Sequence, residues 1–269
     1  MVFRSSPAYG CSLLVVKSRS TTLSTLTIAL DAEVPNVTPD WQQPKTAFVY
    51  TDELSQYQLS PEHPLRPIRL RYMHELMKAS GVLDLNNVDS PAPRIATRKE
   101  IETSHDPEYV SIVEAISNGA IAPGMGEFGL GTSDNPVRRG MYDTTALCIG
   151  STLTASELVT SGKAVVAFAP AGGVHHHAMP RNAAGFGVFN DAVIAMKAMV
   201  KAGLRVAYID IDCHHGDGVQ MGHYGSDQVL TISIHESGQW LFPGTGYVQE
   251  IGVGDGIGYS VNIPLAPYT

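Results

Sequence analysis

The apolar positions change their period along the chain. Thr46–Tyr50 (TAFVY) is a short run rich in aromatic and β-branched residues and predicts a first strand. Leu70, Met73, Leu76 and Met77 recur at helical spacing, so Ile68–Ser80 reads as a helix, with Gly81 as its stop. Thr103–Asp106 precedes a second helix at Pro107–Ser117. A Gly-rich loop over Gly124–Gly140 leads into a long helix from about Met141 to Val159. Beyond that point strands and helices alternate. Ala164–Ala169 (AVVAFA) is a continuous apolar run that suits a strand buried on both faces. Arg205–Ile211 (RVAYIDI) and Val229–Ile234 (VLTISI) read as two more buried strands, and Tyr259–Ile263 (YSVNI) as a candidate fourth. Asn190–Ala202, ended by Gly203, is helical by pattern. Strands separated by helices predict an α/β fold: a mostly parallel sheet with helices on both faces.

Composition narrows the class. The 269 residues are 43% hydrophobic and 16% charged, which supplies one sizeable core and argues against a disordered chain. The net charge of −8 disfavours general nucleic-acid or anionic-membrane partners, because the basic field they need is missing. Cys11, Cys148 and Cys213 form no CxxC pair and no even framework, so neither a disulfide scaffold nor a zinc ribbon is expected, and a reducing cytoplasm fits best. No apolar run is long enough for a membrane-spanning helix. Residues 1–44 stand apart. The first 30 hold ten Ser or Thr, three basic residues and no acid, as in a transit peptide or a disordered or spurious extension, so an ordered domain is expected over 45–269.

Ligands of open parallel sheets bind beyond the carboxyl ends of the strands, so the residues after each buried strand matter most. Pro170–His177 (PAGGVHHH), Asp212–Gly218 (DCHHGDG) and His235-Glu236 occupy those places and hold six of the ten histidines. In an extended chain Asp212 and His214 point to one side, and a carboxylate oxygen with an imidazole nitrogen suits zinc. The plainer reading is that the two residues cap a turn. Asp210 shares their face and is either a third ligand or the partner of a histidine. Cys213, between them, is expected to point the opposite way into apolar surroundings. His176 and His177 are candidates for acid–base work, with Asp210 and Asp217 available to fix their tautomers.

Five segments together resemble the histone deacetylase family, in its bacterial acetoin-utilization-protein branch: SPEHPLRPIRL at 60–70, GLGTSDNPVRRGMYD at 129–143, PAGGVHHHAMPRNAAGFGVFND at 170–191, YIDIDCHHGDG at 208–218 and SIHESGQWLFPGTG at 233–246. The resemblance implies an arginase/deacetylase fold with a sheet of about eight strands, and zinc-dependent hydrolysis of acetyl-lysine or a small acetylated amine. It implies zinc ligation by Asp212 and His214, and His–Asp pairs of His176 with Asp210 and His177 with Asp217. It assigns substrate contact to Asp134 at the rim, to Phe186 and Phe242 as walls of an acyl-lysine tunnel, and to Gly185 beside Phe186. A structural potassium site would draw on Asp210, Asp212, His214 and Ser233. In the implied reaction His176 helps activate water and His177 protonates the leaving amine. Arg69 matches an arginine near the inner end of the channel, though a structural ion pair would explain it as well.

Two departures qualify the match. Three consecutive histidines stand where the family usually has two. Anchoring the pair on Ala178 selects His176 and His177, with His175 and His176 as the alternative. The family's third zinc-binding Asp and a catalytic Tyr are expected further along than Thr269, so the chain reads as the N-terminal two-thirds of the domain, with impaired hydrolysis and an exposed last strand. Two rivals remain open. One is an arginase-like ureohydrolase with two manganese ions, which would lack a carboxylate at Gly216; the other is a non-catalytic binding domain.

Overall fold

The computed structural model describes residues 45–56 and 58–269; the expectation for residues 1–44 falls outside them. Among the described residues six strands form two three-stranded, all-parallel sheets. The first has the order β2-β1-β3, built from β1 (Thr46–Phe48), β2 (Val88–Asp89) and β3 (Val166–Phe168). The second has the order β4-β5-β6, from β4 (Val206–Asp210), β5 (Val229–Glu236) and β6 (Ser260–Leu265). The resemblance had implied one sheet of about eight strands. Among the described residues β3 and β4 are each the last strand of their own sheet and do not pair.

Capping sets the helix boundaries. Asp106 accepts from the Glu108 N–H and Pro107 occupies the first turn, which starts α3 (Pro107–Ser117) where the sequence placed it. The Asn190 side chain caps α5 (Asp191–Lys201) by accepting from the Val193 N–H. Helix α1 (Ile68–Ala79), the short helices α2 (Arg98–Ile101) and α6 (Asp217–His223), and the long α4 (Met141–Thr160) are the other α-helices among the described residues. Twelve of the 20 residues of α4 are buried, so this helix is central and lacks an open polar face. It packs against α3, α5 and β3. The core around it includes Tyr109, Ile149, Leu153 and Phe189, each worth about 1.5–3 kcal/mol of burial. Tyr109 satisfies its hydroxyl by donating to the Val188 carbonyl at 2.8 Å.

The apolar run at 164–169 is not buried on both faces. Val165, Val166 and Phe168 are 65%, 51% and 42% exposed. Because β3 is an edge strand covered by α4, one side of the run stays open. An apolar run reports only that a segment can be buried; its position in the sheet decides whether it is. Among the described residues β6 is the outer strand of its sheet, with Val261 and Ile263 39% and 42% exposed.

Candidate active site

The chemistry-bearing residues gather where β3, β4 and β5 end. After β3 the chain makes a series of turns through Pro170–His177. Two buried side chains fix this loop. The Asp191 carboxylate accepts from the Thr152 hydroxyl at 2.5 Å and from the Gly173 N–H at 2.9 Å. The Asn190 amide donates to the carbonyls of Ala178 (3.1 Å) and His176 (3.4 Å).

This loop sets the register of the triple histidine. His176 Nδ1 lies 2.8 Å from Asp210 Oδ2, and His177 Nδ1 lies 2.7 Å from Asp217 Oδ1. His175 is buried with neither ring nitrogen hydrogen-bonded, and it faces a separate small cavity that Arg69 and Cys148 also line. Asp210 is committed on both oxygens. Besides His176 it accepts from the Tyr208 hydroxyl (2.6 Å) and the Asp212 N–H (3.0 Å), so it is the partner of a histidine.

The two rings titrate in opposite directions. Burial opposes charge on His176, but the hydrogen bond and field of Asp210, with Asp212 and Asp217 behind it, raise its pKa above the ordinary 6.5. Burial lowers that of His177; its bond to Asp217 works against this, and the neighbouring His176 adds to the lowering. Burial would raise the Asp212 carboxyl, yet the hydrogen bond from His214 and the nearby His176 hold it well below the carboxylate range.

Asp212 and His214 meet in a bend after β4, not in an extended strand. Asp212 Oδ1 accepts from the His214 N–H at 2.9 Å and lies 3.0 Å from His214 Nδ1. The turn-capping reading is thus correct, and the same turn brings the two candidate ligands together. The bend also overturns the expectation for Cys213. Strand alternation no longer applies there, so the thiol is exposed and its Sγ lies 3.3 Å from His214 Nδ1. Donor atoms of Asp212, Cys213 and His214 all lie within 4.8 Å of one another. Oxygen, sulfur and imidazole nitrogen are the donor types that zinc takes, so these residues fit the metal that the resemblance implies.

His176, His177, Asp212 and His214 line one cavity of about 170 Å³, together with Phe186 and Phe242. Asp134, Val174 and Gly185 complete its lining. The Phe242 ring stands edge-on to His177 at 4.9 Å and to His214 at 6.1 Å. Gly185 has φ +49°, and a Cβ there would collide with the His177 ring. Phe186 takes the left-handed conformation (φ +71°), unusual for a side chain of this size. Its ring is met edge-on by His63 at 4.5 Å, whose Nε2 is 3.2 Å from the Asp134 carbonyl.

A profile of the histone deacetylase domain matches residues 63–269. The chain belongs to the histone deacetylase family. Within the family it is similar to the acetoin utilization protein AcuC of Bacillus subtilis (strain 168), with 41% identity over 226 residues. The match takes in 83% of this chain and 58% of that protein. AcuC of Staphylococcus aureus (strain MRSA252) is 39% identical over 227 residues, 84% of this chain and 58% of that one. Among solved structures, an HDAC homolog from Aquifex aeolicus superposes with a TM-score of 0.73 at 34% identity, covering 82% of this chain and 59% of that one. A structure of an HDAC homolog complexed with SAHA matches with a TM-score of 0.72. The chain therefore spans a little under three-fifths of the length of these relatives. Among the described residues, no helix is long and apolar enough to cross a membrane.

The cavity of this deacetylase-family chain unites the metal, histidine and substrate-contact residues expected from the sequence; Asp210 and Asp217 stand behind its histidines, Arg69 lines the separate cavity beside His175, and Ser233 lies outside its lining. Ser233 sits opposite Asp210 in the β4–β5 register, with its hydroxyl 2.8 Å from His235 Nδ1. Trp240 is 65% exposed and takes no part in packing the cavity. The sequence reading missed His63 as the support of Phe186. Its place in a Pro-rich segment more than a hundred residues away gave no signal. It also missed the approach of Cys213, because a bend cannot be read from strand periodicity.

Proposed function

We propose that this cavity is the active centre of a zinc-dependent deacetylase acting on acetyl-lysine or a small acetylated amine. The observation that carries the reading is the convergence of two His–Asp pairs and the Asp212–His214 pair on one cavity walled by two phenylalanines. An acyl-lysine stem is a chain of methylenes, and Phe186 and Phe242 offer it an apolar sleeve. Asp134, at the same cavity, is placed to accept hydrogen bonds from the substrate backbone or amine.

Zinc held by Asp212 and His214 would supply Lewis-acid polarisation of the acetyl carbonyl. The protein's own groups handle the proton. Asp217 fixes His177 with Nδ1 inward, which leaves Nε2 to face substrate. Burial keeps that ring neutral, so it can take a proton from the attacking water. The same Nε2–H then passes the proton to the amine nitrogen as the carbon–nitrogen bond breaks. Burial opposes charge on His176, but Asp210, Asp212 and Asp217 raise its pKa and so favour the charged form, which would face the carbonyl oxygen as negative charge develops there. This division differs from one in which His176 is the base and His177 only the acid, and the opposite electrostatics of the two rings favour it.

The test is zinc-dependent binding of SAHA, read by calorimetry, alongside release of amine from a fluorogenic acetyl-lysine peptide and from an acetylpolyamine. Zinc-dependent SAHA binding that disappears in Asp212→Ala and His214→Ala is the expected result. Zinc stoichiometry unchanged in both variants would sink the metal assignment.

A further inference from the structure

We propose that His63 is a positioning residue for substrate: one buried ring that holds the Asp134 rim and the Phe186 wall in register at the mouth of the cavity. The proposal rests on the reading of that cavity as a deacetylase site and names what sets its entrance. His63 lies in a segment stiffened by Pro61, Pro64 and Pro67, and its side chain is buried. Its own loop fixes the ring. The Leu65 N–H donates to Nδ1 at 3.0 Å, so Nδ1 accepts and the ring proton sits on Nε2. Nε2–H donates to the Asp134 carbonyl at 3.2 Å, across to the loop that carries the rim. The same ring meets Phe186 edge-on, with centroids 4.5 Å apart and planes 78° apart. These contacts tie together three segments that are far apart in the chain.

Both of the parts it joins need holding. Phe186 sits in the turn Ala184–Gly187, closed by the Gly187 N–H to the Ala184 carbonyl (2.8 Å) and the Ala184 N–H to the Gly187 carbonyl (3.0 Å). Gly185 (φ +49°) and Phe186 (φ +71°) are both left-handed, as in a type I′ turn, where Asn and Gly are usual and Phe is not. A bulky residue keeps such a conformation only where its surroundings over-determine it. Leu59, Leu65 and Val174 pack with Phe186, and the His63 edge completes the contact. Asp134 is exposed, and among the described residues its carboxylate meets only the Ser133 hydroxyl, at 3.4 Å. Holding Asp134 by its carbonyl therefore aims the carboxylate over the cavity and leaves it open to substrate. The bridge needs a donor, an opposed acceptor and an aromatic edge in one side chain, and histidine supplies all three. The His–Asp pairs are anchored separately, by Asp210 and Asp217, so His63 governs the grip on substrate and not the chemistry.

SAHA and octanohydroxamic acid separate grip from chemistry, because they share a hydroxamate and an alkyl chain while SAHA alone carries an amide at the outer end. Their affinities would be read by calorimetry with zinc present, without any turnover. His63→Phe keeps a ring against Phe186 and removes the donor to Asp134. It should weaken SAHA by about tenfold, the worth of one hydrogen bond to a charged group, and leave octanohydroxamic acid within about twofold. His63→Gln, which still offers a donor to the Asp134 carbonyl, should restore most of the preference for SAHA. Asp134→Ala should lose that preference, and adding His63→Phe to it should cost nothing more, since both act through one contact. Equal weakening of both hydroxamates in His63→Phe, or additive losses in the double variant, would overturn the positioning role and leave the reading of the cavity intact. Failure of the unmodified protein to bind either compound would remove both readings. Nitrogen NMR of the unmodified protein decides the matter even if a variant folds poorly. The His63 ring should carry its proton on Nε2 and none on Nδ1, and the reverse tautomer would break the bridge.

Discussion

The two His–Asp pairs are neighbours in sequence and space, with ring centroids 4.0 Å apart and nearly equal hydrogen bonds, yet they favour opposite charge states. The difference lies behind the rings. Asp210 is completely buried and receives donors on both oxygens, and His176 also feels Asp212 and Asp217. His177 has one carboxylate partner and is pressed by two other histidines, His176 and His214. Identical dyads in a motif can thus be assigned different work by the number of anions that face each ring. Under the proposed function, the ring whose pKa is raised would serve electrostatic stabilisation and the ring whose pKa is lowered would serve proton transfer.

The largest expected effect comes from removing the neutral ring. His177→Ala should lower deacetylation by about 10²–10⁴-fold, the usual worth of a general acid–base, while zinc stays bound. If His175→Ala does this instead, the register of the triple histidine is wrong.

Breaking the other pair should act on the fold as well. Asp210→Ala strips three donors of their acceptor in the interior and should destabilise by about 3–5 kcal/mol in urea denaturation. It should also bring the His176 titration, followed by NMR, down from its raised position. A loss within the range of an exposed substitution would show that Asp210 is not the anchor described.

Acid should expose the same asymmetry through stability. His177 and the buried His105 resist protonation in the folded chain, the latter with a pKa lowered to about 4 by burial. Their contributions are whole above the unfolded value of 6.5 and are lost as the pH falls below it, about 3 kcal/mol for His105 by pH 4. His176 runs the other way: its contribution is present below 6.5 and is lost as the pH rises through its raised folded value. Denaturation midpoints across this range should fall towards acid, and in His105→Gln the fall should be shallower. An unchanged slope in that variant would refute the burial argument.

The smallest effect sharpens the proton-transfer side. Asp217→Asn keeps the shape of the pair but loses the anion that fixes the His177 tautomer, and should cost about 10–100-fold in turnover with zinc retained. If Asp217→Asn is as damaging as His177→Ala, the carboxylate does more than orient the ring.

Much of this architecture was written locally. Helix α3 starts at Pro107 because Asp106 caps it, and α5 follows Asn190 for the same reason. Such signals lie within a turn of the residues they control, so a linear reading finds them. The clustering of histidines after β3, β4 and β5 was equally legible, because parallel strands must all deliver their carboxyl ends to one side. What the sequence left undecided depends on where the backbone bends and what packs behind it. AVVAFA is as apolar as a buried strand, but its edge position leaves Val165 and Val166 open. Cys213 would have pointed away in a straight strand, but the bend after Asp210 turns its sulfur towards His214. The residues named His176 and His177 were determined by the sequence. Their opposite charge preferences were decided only by tertiary structure, because a pKa is set by every charge and every solvent boundary around a ring, and these come from segments far apart in the chain.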